Sequence, residues 1–173
     1  MPSIFSMSCA RNIAAGLVAV VFSLIASHGM AQRAPGDAGL FANLTGSWSG
    51  GGTITFAQGG KERIRCRAAY DSMGSGNSLQ LELRCASDSY KFELRSNVTA
   101  GPSGITGQWN EATRNASGTV TGRATGDQIQ ALVDSAGFSA SLIVLTRGDR
   151  QSVTIRTGGE KATEVAISLN RGR

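Results

Sequence analysis

Few side chains in this sequence are equipped for catalysis. The chain has 173 residues and one histidine, His28, which falls in a stretch read below as a removable leader. Without it the remainder lacks the side chain that most often serves as general base near neutral pH or as metal ligand. A Ser-His-Asp or Cys-His system is thereby excluded, and Lys61, Lys91 and Lys161 come with no motif that would build a Ser-Lys dyad. Gly50-Gly51-Gly52 and Gln58-Gly59-Gly60-Lys61-Glu62 are glycine-rich as phosphate loops are, but the spacing is wrong and Glu62 stands where Ser or Thr is needed. Carboxylates such as Glu82 and Glu93 are scattered and mark no glycosidase pair. The expectation is a non-enzyme with no catalytic residue, no metal site and no cofactor.

Chemistry of recognition is better represented. Arg63, Arg65 and Arg67 alternate with Ile64, Cys66 and Ala68, so one face of a strand carries guanidinium groups and the other is apolar. The next strand places Leu79, Leu81, Leu83 and Cys85 on one side and Gln80, Glu82 and Arg84 on the other. A hairpin turning about Gly74-Ser75-Gly76-Asn77 sets residues whose numbers sum to 151 opposite each other. Cys66 then faces Cys85, Ala68 faces Leu83, and Tyr70 faces Leu81. A one-residue slip would destroy both the cysteine pairing and the shared apolar face. The same register brings Arg84 beside Arg67, making a four-arginine surface candidate for an anionic ligand. Trp48 and Trp109 complete the candidate ligand-contacting residues.

The elements that must position these residues begin with an address. Arg11 precedes a mostly apolar run from Ile13 to Ala26, followed by Ser27, Gly29 and Ala31. At about 14 residues the run is short of the roughly 20 that a membrane-crossing helix needs, and the pattern is that of a signal peptide spanning residues 1–31 and cut after Ala31. Cys9 precedes the run and leaves with it. The mature chain is expected to be periplasmic or secreted, without a membrane span. Of seventeen Lys and Arg only Arg11 is lost, and all twelve Asp and Glu remain, so its net charge is +4. Those basic residues form no run of three, which argues against nucleic acid as a partner. The two remaining cysteines, Cys66 and Cys85, read as a disulfide in an oxidising compartment.

Residues 32–43 form a small-residue, polar N-terminal arm, read as flexible and ending on the apolar anchor Leu40-Phe41. Residues 44–173 form the domain proper. The chain has 23 glycines, roughly twice average usage, and they punctuate short β-branched or alternating runs. Strands are expected over Gly46–Phe56, Glu62–Tyr70, Ser78–Arg84, Tyr90–Asn97, Ile105–Asn110, Gly118–Arg123, Gln128–Val133, Phe138–Thr146, Gln151–Thr157 and Val165–Asn170. The connections suit hairpins and leave no room for crossover helices. The fold class is all-β, an antiparallel up-and-down meander of about eight to ten strands closed into a small barrel, since closure buries the apolar faces and removes exposed edges.

Leu44-Thr45-Gly46-Ser47-Trp48 recurs as Ile105-Thr106-Gly107-Gln108-Trp109 and, without the tryptophan, as Val120-Thr121-Gly122-Arg123-Ala124. The opening Gly-Xaa-Trp resembles the calycin barrels, meaning lipocalins, avidins and the small periplasmic inhibitors of metalloproteases. The chain also resembles a group of small exported proteins of unknown function from Gram-negative bacteria, through Leu44–Trp48, Lys61–Arg67, Leu83–Tyr90 and Thr113–Gly118. Three functional readings follow. The barrel could bind a small molecule or an anionic envelope ligand. It could act as a protease inhibitor whose arm, placed as in those inhibitors, enters the target. It could also be a structural envelope protein.

Overall fold

The computed structural model describes residues 38–158 and 162–172. The leader at 1–31 and the start of the arm lie outside the described residues. Ten antiparallel strands follow one another: β1 Gly46–Phe56, β2 Lys61–Met73, β3 Ser78–Ala86, β4 Lys91–Gly101, β5 Gly104–Glu111, β6 Ala116–Thr125, β7 Gln128–Ser135, β8 Phe138–Arg147, β9 Arg150–Thr157 and β10 Ala162–Arg171. Each pairs with its neighbour in sequence, and β10 pairs with β1 to close the barrel. The expected meander and its closure are both present. Several strands outrun their sequence limits, β2 by reaching Met73 and β4 by reaching Gly101, because pairing with a neighbour continues past the point where hydrophobic alternation stops.

The β2–β3 register is the one that the alternation requires. Cys66 faces Cys85, Arg67 faces Arg84, Ala68 faces Leu83 and Tyr70 faces Leu81. The cysteines form a disulfide across Cα atoms 4.1 Å apart, the close approach of a non-hydrogen-bonded antiparallel pair. Their side chains point inward with Ile64, Ala68 and Leu83 into the core, and the arginines point to solvent.

Strand curvature is made possible by glycines at inward positions. A Cβ on Gly50 or Gly52 would lie 1.9 or 2.0 Å from the carbonyl oxygen of Ser168 or Ala166 on β10. Only a residue without a side chain lets β10 lie so close, and the tight approach is how a small barrel turns its wall.

One end of the barrel is plugged. The short 3₁₀ turn Ala42–Leu44 precedes β1, and its flank is tied to the β2–β3 turn by Gly39 N–H donating to Ser75 O and Phe41 N–H to Gly76 O, each at 2.8 Å. Phe41 and Leu44 pack on Leu79 and Ile105. Thus Phe41 is the anchor of the arm, while Leu40 stays at the surface.

Candidate functional site

The plugged end is built around Trp48. Its indole N–H donates to Leu44 O at 2.8 Å, its ring meets Tyr70 edge-on at 6.3 Å, and the Arg171 guanidinium lies 4.3 Å above it. Arg171 also pairs with Asp149 at 3.0 Å and donates to the carbonyl oxygens of Thr45 and Asn43. One side chain from the last strand therefore clamps the entry to the first. The Tyr70 hydroxyl donates to Gln151 Oε1 at 2.7 Å, and Gln151 Nε2 donates to Thr146 Oγ1 at 3.0 Å. Burial raises the Tyr70 pKa far above that of a free phenol, so the group stays neutral and serves as a donor. Trp48, a candidate ligand contact by sequence, is sealed here at 1% exposure.

Trp109 also faces inward, farther along the barrel. Its indole N–H donates to Asp134 O at 3.3 Å, and Phe138 meets its ring at 6.2 Å. Phe138 itself is exposed and sits at the end opposite the plug. Around this end Phe92, Leu94, Leu142 and Ile155 face into the barrel and pack on the core, yet they are only half-buried. Phe41, Leu44, Leu79 and Ile105 are all buried at the plugged end, and Ile54, Ile64 and Cys85 are buried on the β1–β3 side of the other half, so the half-buried inward residues of that half lie along the wall of β4, β8 and β9.

Polar groups at the open end are committed to holding the turns. Glu111, 2% exposed, accepts from the backbone N–H groups of Glu93, Thr113 and Arg114 and from the Thr113 hydroxyl. Burial alone would raise its pKa; the hydrogen bonds outweigh this and hold the carboxyl below its usual range. Arg114 bridges Glu111 at 3.4 Å and lies 4.4 Å over the Tyr90 ring. Among the described residues no cluster of three His, Cys, Asp or Glu side chains could hold a metal ion. The surface of the described residues carries open depressions. One of about 700 Å³ lies beside Leu132, Phe138 and Arg156, and one of about 620 Å³ lies at the plugged end beside Leu40, Asp127 and Arg171.

The four candidate arginines are brought together outside the barrel. Arg63, Arg65 and Arg67 project from β2 and Arg84 from β3, all exposed. The structure thus gathers the arginines on one outer face and separates them by the barrel wall from both tryptophans. Sequence reading missed Arg171, Gln151 and Glu111. For Arg171 a signal exists, since it shares parity with Val165, Ile167 and Leu169, but its role depends on closure of β10 against β1. The protease-partner expectation finds no support: Ala38–Asn43, the described end of the arm, is docked on the barrel floor rather than presented to a target.

No family model matches the chain, and no curated protein matches it. Solved structures do. Rv2717c from M. tuberculosis aligns with TM-score 0.58 and 14% identity, over 76% of this chain and 94% of that one. The S-type phycobiliprotein lyase CPES from Guillardia theta aligns with TM-score 0.53 and 12% identity, over 77% of this chain and 90% of that one. These likenesses show a common fold and agree with the calycin-like resemblance of the strand tags.

Proposed function

We propose that this is a non-catalytic binding protein that takes an apolar small molecule into the barrel through the end opposite the plug. The observation that carries this reading is the half-burial of Phe92, Leu94, Leu142 and Ile155, which face inward above a packed floor. Apolar surface turned inward and still accessible is what a small ligand covers. Trp109 and Phe138 stand where an entering molecule would pass. A neighbour in fold is named as a lyase, so the architecture is compatible with catalysis. Here, however, the interior acid Glu111 is consumed by turn hydrogen bonds, and the Tyr70 phenol is held neutral on Gln151. The leader pattern of residues 1–31 and the Cys66–Cys85 pairing support a periplasmic or secreted setting.

Titration with N-phenyl-1-naphthylamine, a neutral apolar dye, tests the reading. Saturable dye emission with matching loss of tryptophan emission is expected. Leu142→Trp, which fills the upper interior, should weaken binding at least tenfold, and the outward-facing control Gln130→Trp should not. Absence of dye binding, or equal binding by a folded Leu142→Trp variant, would overturn it.

A further inference from the structure

We infer that the outer face of β1–β3 binds an acidic polysaccharide, with Arg63, Arg65, Arg67 and Arg84 holding its acidic groups in series. Some outward arginines elsewhere are matched to acids: Arg95 to Glu82 at 3.2 Å, Arg147 to Asp127 at 2.8 Å and Arg156 to Glu164 at 3.0 Å. Among the described residues no carboxylate lies within 4.0 Å of Arg63, Arg65 or Arg67, nor of Arg123 or Arg150, but only on β2 do three such arginines follow one another along one face. Three of the acids around the row are turned elsewhere, and Asp71, which shares the outward face of β2 beyond Arg67, lies more than 4.0 Å from every arginine of the row. Glu62 accepts from Ser89, Glu82 pairs with Arg95, and Glu93, which faces Arg84 across the strands, pairs with Lys91 at 2.9 Å. Arg67 stands directly opposite Arg84, an arrangement that is unfavourable unless an anion comes between them.

The surroundings of the row select the kind of anion. On β1 the cross-strand partners of Arg67, Arg65 and Arg63 are Ser49, Gly51 and Thr53, and beyond them on β10 lie Asn170, Ser168 and Ala166. The guanidinium groups therefore border a low shelf bearing hydroxyl and amide groups, suited to hydrogen-bond sugar hydroxyls. Successive arginines on β2 are about 7 Å apart, so the row reads a linear chain rather than a single ion. Outward positions of β1, β2 and β3 hold no aromatic side chain, and a face that binds single-stranded nucleic acid needs one for base stacking. Nor do they form an apolar patch that would enter a lipid surface.

Alginate oligomers, a polyuronate, provide the probe, with binding followed by calorimetry at low salt. The wild-type protein should bind them and not dextran, with affinity falling as salt rises. Arg65→Gln/Arg67→Gln should weaken binding at least tenfold, and Arg84→Gln alone should weaken it severalfold. Arg123→Gln/Arg150→Gln removes the same charge from β6 and β9 and should change it less than twofold. The proposal is overturned if alginate does not bind, if both double variants lose affinity alike, or if poly(dT) or anionic vesicles bind more tightly through the same arginines. Dye uptake into the interior is read separately, so failure of one site leaves the other standing.

Discussion

Glu62 illustrates how single residues hold the turns at the open end. It lies at the start of β2, and its carboxylate reaches the β3–β4 connection, where the hydroxyls of Ser87 and Ser89 and the Ser89 N–H hold its pKa down at about 2 from an ordinary 4.5. A carboxyl whose pKa is lower in the folded state contributes stability above its unfolded pKa and loses it as pH falls through the folded one. The contribution of Glu62 should be complete above about pH 4.5 and disappear on approach to about pH 2. Thermal melts across this window should show a steeper acid loss for wild type than for Glu62→Gln. A superimposable pH profile would remove Glu62 from the account. Glu111, also held below the usual range, adds acid sensitivity of the same sign, so some slope will persist in the variant.

At the scale of elements, the β2–β3 hairpin is the most completely determined unit of the chain. Its register satisfies three demands together: cysteines face each other, apolar residues share the inner face, and arginines share the outer one. The disulfide spans a sequence separation of 19 residues, for which loop-closure entropy gives a stabilisation of roughly 3 kcal/mol. Cys66→Ala/Cys85→Ala should therefore lower the unfolding free energy by about 2–3 kcal/mol in urea titrations. A loss below about 0.5 kcal/mol would show that strand pairing already restricts the unfolded chain as the bond does. The hairpin was legible because its two periodicities reinforce each other. The ends of β4 and β10 were less so, since polar residues such as Asn97 and Thr99 pair as well as apolar ones once a neighbouring strand is in place.

At the scale of the whole molecule, the plug and closure of the barrel depend on each other. Phe41 fills the floor between the β2–β3 turn and Ile105, and Arg171 joins the last strand to the segment entering the first. Phe41→Ala should cost about 3–5 kcal/mol, the usual range for removing a buried aromatic ring, and should raise iodide quenching of Trp48. Unchanged quenching with unchanged stability would mean that the floor is sealed without it. By itself the sequence determined the all-β class, the ten strands, the β2–β3 register and which faces of β2 and β3 are apolar. These follow from period-two alternation and turn chemistry, which are local. Only the tertiary structure decided that Arg171 rather than a ligand covers Trp48, that Glu111 is buried, and that Phe41 packs on Leu79 and Ile105 to close one end. Those outcomes join residues more than a hundred positions apart, or depend on how far a closed wall can be filled, and no local pattern carries that information.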